Sequence, residues 1–295
     1  MTSMALTRRS DRAVVRACLL VIAAIGSVQV GAALAKHLFP AAGPAGVVTI
    51  RLVTAAVAVT VLARPRVGAL GMAQWRLLAA FGGVLAFMNL SFYGAIARIP
   101  LGVAVTIEFA GPLTVAVLGR RRARDLLWPA LAGAGVLLLT GGGRALVDGD
   151  LDPLGVALAL VAAAGWACYI LLTQRIGATV PSMEGLAIAL VIAAVVITPI
   201  GVARAGTALL DPMLLLLGAG VGVLSSALPW ALEMVALRSL PTPTFGVLMS
   251  LEPAAAALAG LALLQEWLTP VQAVAIALTC LASAGATLAA RTGPG

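Results

Sequence analysis

This chain is short of charge. Asp, Glu, Lys and Arg together make up 10% of its 295 residues, against about 25% in an average soluble domain. That is too little polar surface to cover a water-soluble globule. Histidine occurs once, at His37, and cysteine three times, at Cys18, Cys168 and Cys280, each far from the others. No metal spacing and no disulfide framework is visible, and the thiols read as small packing residues. Aromatic residues account for only 4%. No loop carries the phosphate-binding pattern of an ATPase, so ATP is not the direct energy source. No Ser/His/Asp grouping suggests catalysis. Gly141-Gly142-Gly143 reads as a turn that ends a helix, not a nucleotide cradle. The chain is read as a non-enzyme with no cofactor.

What is present is apolar. Hydrophobic residues make up 62% and glycine contributes 32 positions. Small residues suit helices that must approach closely in lipid, where the hydrophobic effect no longer drives helix association. A membrane helix needs about 20 mostly apolar residues. Ten such stretches occur, near 16–35, 44–63, 76–97, 101–119, 125–141, 154–174, 184–203, 212–237, 242–263 and 269–290. The sequence thus predicts an all-α membrane protein with ten transmembrane helices. Pro100 separates the third stretch from the fourth, because proline disfavours helix at the residue before it. Pro241 and Pro243 separate the eighth from the ninth. A nine-span chain that fuses one such pair is the alternative. At the N-terminus, Arg8, Arg9, Arg12 and Arg16 precede an apolar run that ends near Ala33-Leu34-Ala35, as in a signal peptide. Gln29 interrupts that run and its length suffices to span, so an uncleaved first helix is expected.

The net charge of +8 does not point to nucleic acid. The arginines sit in short clusters between apolar stretches, which is the pattern of topology signals facing anionic lipid. With the N-terminus in the cytoplasm, inner segments hold 14 Lys and Arg residues and outer segments hold 4, namely Lys36, Arg98, Arg144 and Arg204. Both termini of this multi-pass inner-membrane protein are then cytoplasmic. The acidic loop from Gly141 to Pro153, with Asp148, Asp150 and Asp152, falls outside and joins two halves, 16–141 and 154–290. A shift of 141 positions lays Pro100 on Pro241 and Pro112 on Pro253. Five crossings are an odd number, so a chain that repeats after five re-enters from the other face. Inverted repeats of this kind enclose a midplane site in many secondary transporters.

Four segments carry a more specific likeness. They are Val28–Lys36 (VQVGAALAK), Pro100–Pro112 (PLGVAVTIEFAGP), Leu228–Arg238 (LPWALEMVALR) and Leu240–Pro253 (LPTPTFGVLMSLEP). These resemble the threonine/homoserine exporters of the EamA branch of the drug/metabolite transporter superfamily, over nearly the whole chain. The resemblance implies two inverted five-helix EamA repeats, cytoplasmic termini and export of small metabolites. It supplies no catalogue of binding residues.

Those residues are read from physics instead. An ionisable side chain at the bilayer centre costs about 2.5–3.5 kcal/mol on insertion scales. Only Arg51, Glu108, Glu233 and Glu252 lie well inside spans. Glu108 is eight residues past Pro100, about 12 Å down a helix and close to midplane. It is either a proton carrier or partner of a substrate ammonium, or part of a structural pair. Glu252 precedes Pro253, which frees a carbonyl one turn back; it coordinates a cation or satisfies a packing kink. Glu233 is one turn from Pro229 and two from Ser226, on a polar stripe that serves substrate or interhelical packing. Arg51 offers a planar fork to a substrate carboxylate, pairs with a glutamate, or snorkels. Gln29, the pair Asn89 and Tyr93, and the pair Trp166 and Tyr169 add hydrogen-bonding groups, each pair on one helix face. Either they cradle a zwitterion or they bond to neighbouring helices. Lys36 and His37 lie at the outer end of the first helix.

The reading is a secondary-active exporter of small amino acids or related metabolites, threonine or homoserine first, working by alternating access and proton antiport through Glu108. Its partners are the small-molecule substrate, protons and the lipid bilayer. The rivals are an uncoupled facilitator of the same fold and a non-transporting integral membrane protein.

Overall fold

A computed structural model describes residues 2–118, 127–139 and 151–289. All elements among the described residues are helical. The arginine cluster at 120–124, Gly141-Gly142-Gly143, Arg144, Asp148, Asp150 and Arg291 lie outside the described residues.

The first helix, α1 (Thr2–Ala63), runs unbroken through Ala33-Leu34-Ala35 and then bends at Gly43. Two prolines flank the bend, Pro40 and Pro44. Pro44 has no N–H to return to the carbonyl four residues earlier, and Gly43 takes the left-handed φ of 66° that a side chain would resist. After a single 3-10 turn come α2 (Met72–Ile96), α3 (Leu101–Glu108), α4 (Ala110–Leu118) and α5 (Leu127–Leu139). The second half opens with α6 (Pro153–Gly177) and α7 (Ser182–Ala205). There follow α8 (Pro212–Gly222), a π turn over Val223–Ala227 and α9 (Leu228–Leu237). The chain closes with α10 (Thr242–Met249), α11 (Glu252–Leu264) and α12 (Pro270–Ala289).

The prolines act where the sequence places them. Pro100 and Pro241 are the N-caps of α3 and α10, in extended conformation, so neither pair of stretches fuses. Asp152 and Asp211 each cap a helix whose first residue is proline, accepting from backbone N–H groups at 2.8 and 2.9 Å. Pro112 and Pro253 each follow a break, at Phe109 and at Ser250–Leu251. The boundaries recur at the 141-residue shift: α2 ends at Ile96 and α9 at Leu237, α3 ends at Glu108 and α10 at Met249.

Ten spans were expected from the sequence. Among the described residues seven helices are long and apolar enough to cross a membrane. The difference has two sources. The first two stretches are two helical limbs that join directly at the Gly43 kink, so Val14–Ala63 counts as one apolar helix of 50 residues, and the fourth and fifth appear as the shorter apolar helices Leu101–Val115 and Ala130–Leu139. The core joins α1, α2, α3 and α7 through Val47, Leu52, Phe81, Leu85, Ile96, Ile107 and Ile197. The outer faces are studded with exposed leucine and valine, such as Leu62, Val195, Leu216 and Leu258. In water such a surface is an aggregation liability; in lipid it is the solvated face.

Candidate functional site

The helix breaks surround a cavity of about 300 Å³ at the centre of the bundle. That is the lower end of the roughly 300–1,000 Å³ range of small-molecule sites. Arg51, Glu108, Glu233, Glu252, Gln29, Asn89, Tyr93, Trp166 and Tyr169 all line it. Gln29 and Arg51 come from the two limbs of α1, Asn89 and Tyr93 from α2, and Trp166 and Tyr169 from α6. Glu108 is the last residue of α3, Glu233 lies on α9 and Glu252 is the first residue of α11.

Arg51 is anchored but not neutralised. Its guanidinium donates to Asn89 Oδ1 at 2.5 Å and to the Ser225 carbonyl at 3.2 Å, and lies 5.3 Å from the centre of the Tyr93 ring. Asn89 is itself held by donating to the Leu85 carbonyl at 2.8 Å. The Ser225 oxygen is available for a local reason. In an α-helix it would accept from the N–H four residues on, which is position 229, and Pro229 has none. The π turn over Val223–Ala227 accommodates the mismatch. Gly31 of α1 makes room for this turn, since a Cβ there would stand 2.9 Å from Ser225 Cβ. Arg51 thus neither pairs with a glutamate nor snorkels; among the described residues it has no ion pair.

Glu108 and Glu252 are buried, and Glu233 is half-buried. Among the described residues none of the three closes an ion pair. They are too dispersed for a metal: no described group of three His, Cys, Asp or Glu residues is placed to hold one. The charge of Arg51 reaches Glu108, and the charges of Glu108 and Glu233 reach Glu252. The cavity therefore holds one uncompensated cation and three carboxyl groups, framed by aromatic rings. Trp166 stands edge-on to Phe109 at 5.3 Å between ring centres, and Tyr169 packs on Phe81 at 5.3 Å. Three buried polar atoms on the lining have no hydrogen-bond partner: Gln29 Oε1, Arg51 Nε and Tyr93 Oη.

A second cavity of about 310 Å³ shares Tyr169, Trp230 and Glu233 with the first. It continues toward the end of the bundle marked by Ile176, Gly177 and Leu237. The opposite end is laced by polar contacts. Lys36 and Glu266 form an ion pair there. Glu266 Oε2 also accepts from Leu101 N at 2.7 Å, and Lys36 Nζ donates to the Ile99 carbonyl at 3.3 Å. His37 Nε2 is 3.1 Å from the Leu263 carbonyl. Arg98 pairs with Asp152 at 2.9 Å at the same end.

Sequence reasoning missed Glu266, because an acid just past an apolar run looks like an ordinary span boundary. It also missed Trp230, which follows Pro229 directly, and the Ser225 carbonyl, for which that proline was the available signal.

The EamA-like transporter family matches over residues 153–288. The threonine/homoserine exporter RhtA of Salmonella typhimurium (strain SL1344) is 44% identical over 276 residues, covering 94% of this chain and 92% of its own. The threonine/homoserine exporter RhtA of Escherichia coli (strain K12) is 43% identical over 272 residues, covering 92% and 91%.

Proposed function

The chain belongs to the EamA-like transporter family, a family of transporters and not enzymes, and from that premise we propose that it exports threonine or homoserine. One observation carries the substrate class. An uncompensated guanidinium and three carboxyl groups meet round one small cavity without forming an ion pair. That is the charge pattern of a site for a zwitterion: Arg51 takes the substrate carboxylate and the glutamates take its ammonium. Two relatives named as threonine/homoserine exporters support the choice among zwitterions.

The proposed topology is ten crossings in two inverted repeats, 16–141 and 154–290, with Val14–Ala63 crossing twice about Gly43. The recurrence of helix ends and breaks at one fixed shift supports the repeat, and the Lys and Arg count supports cytoplasmic termini. In that orientation the second cavity is an inner vestibule and the Lys36–Glu266 pair closes the outer face. The described conformation is then inward-open, and alternating access consists of closing the vestibule and parting the outer pair.

Proton antiport through Glu108 is the proposed coupling, since a carboxyl group without a fixed partner can exchange a proton for the substrate ammonium. Protein in liposomes loaded with radiolabelled threonine or homoserine tests the whole reading. Efflux is expected to accelerate with an inward proton gradient, and Glu108→Gln is expected to remove that acceleration. Efflux that ignores the gradient in the native protein identifies an uncoupled facilitator. No movement of either amino acid overturns the export reading itself.

A further inference from the structure

The zwitterion reading accounts for Arg51 and the glutamates but leaves two neutral groups on the cavity wall unused. Gln29 Oε1 and Tyr93 Oη are buried without a hydrogen-bond partner, and both side chains are more than nine-tenths buried, at 3% and 1% exposure. Buried polar groups in folded proteins are almost always paired, so an unpaired couple facing one cavity marks a place where a ligand supplies the partner.

The two groups are held ready rather than left loose. The Tyr93 ring is wedged between Phe39, 5.8 Å between ring centres, and the Arg51 guanidinium. Its hydroxyl stands beside Ser225 and Arg51 without a well-formed hydrogen bond to either. The stretch of α1 that carries Gln29 is held against the π turn: Ser27 donates to the Leu224 carbonyl at 2.6 Å, and Gly31 lies against Ser225. Tyr93 and the segment of α1 that carries Gln29 therefore border the same π turn.

We propose that Gln29 and Tyr93 read the side-chain hydroxyl of the substrate, which donates to Gln29 Oε1 and accepts from the Tyr93 hydroxyl. This rests on the zwitterion reading of the cavity, which assigns the charged ends of the substrate elsewhere. A neutral acceptor and a neutral donor–acceptor form a poor site for a charge and a good one for an alcohol. Threonine and homoserine are isomers that differ only in where that alcohol sits on a four-carbon chain. The amino acid with the same chain and no alcohol is 2-aminobutyrate. A site built to hydrogen-bond a hydroxyl discriminates strongly against the analogue lacking it, because its own polar groups are then buried unpaired.

The test compares binding of threonine, homoserine and 2-aminobutyrate to the purified full-length protein by titration calorimetry. At least one hydroxy amino acid is expected to bind about tenfold or more tightly than 2-aminobutyrate. That margin is expected to shrink to about threefold or less in Tyr93→Phe and in Gln29→Leu, with Gln29→Met as the closer match in length. Equal binding of 2-aminobutyrate to the unaltered protein overturns the proposal without any variant. A margin that survives in both variants also overturns it. If none of the three binds, the zwitterion reading falls and takes the proposal with it, whereas tight binding of all three alike leaves that reading standing and removes this one alone.

Discussion

Arg51 spends two of its donors on a side-chain amide and a backbone oxygen, so its position is fixed while its charge stays available. A lysine has one compact charge on a flexible stem and cannot hold both oxygens in one plane. Arg51→Lys is therefore expected to raise the half-saturating substrate concentration by about tenfold or more, at unchanged protein level in the membrane, as read from efflux in liposomes. The nine polar residues round the cavity were legible in the sequence because polarity inside an apolar helix is expensive and so stands out. Their partners were less legible. The sequence offers Arg51 three glutamates, and the structure gives it Asn89 and the Ser225 carbonyl instead. A backbone oxygen has no residue type to announce it. Its release had to be inferred from the missing N–H at Pro229.

At the scale of elements, proline placement decides most of the architecture. Pro229→Ala returns an N–H to position 229 and lets the helix recapture the Ser225 carbonyl. The expected result is a straighter α8–α9 with equal or higher thermal stability. Transport is expected to fall by about tenfold, because Arg51 loses an acceptor; a melting curve and an efflux assay on the same preparation check both halves. A second test concerns α6, whose N-cap Asp152 is bonded to Arg98 and accepts from Leu154 and Gly155. The Arg98 hydrogen bond, helped by those N–H groups, holds the Asp152 carboxyl below its ordinary range. A lowered folded-state value stabilises the protein above the unfolded carboxylate's pKa, and the benefit is lost as pH falls through the lower value. Asp152→Asn is thus expected to lower the melting temperature at neutral pH, with the gap closing in acid. The helix starts at Pro100, Asp152, Asp211 and Pro241 were readable because caps and prolines are local signals. The two limbs of α1 were readable as two apolar stretches; that they join directly at a kink at Gly43, with no loop between them, was not.

Across the whole molecule, the two ends of the bundle differ in kind. One is tied by an ion pair and the backbone it grips, drawn from three places in the chain: Lys36 of α1, the Ile99 carbonyl and Leu101 N–H at the start of α3, and Glu266 after α11. In the proposed cycle this seal must part once per turnover. A protein carrying Lys36→Cys and Glu266→Cys, with Cys18, Cys168 and Cys280 replaced by serine, is expected to lose export when oxidised and regain it when a reductant is added. Unchanged export of the oxidised, cross-linked form sinks the seal. Prolines 141 positions apart were visible in the sequence, but which charges would meet was not. Lys36 and Glu266 are 230 residues apart, and only the folded bundle brings them together.

The other end has a different consequence. Tyr169, Trp230 and Glu233 belong to both cavities at once, so they form a neck between an antechamber and the inner room. A flat apolar cation too wide for the neck could lodge against Glu233 and the two rings without ever entering. In the proposed orientation such a plug reaches the neck from the cytosol alone, and an inhibitor of this shape that does not cross the bilayer is expected to work on inside-out vesicles and to be inert when applied to the intact cell's exterior.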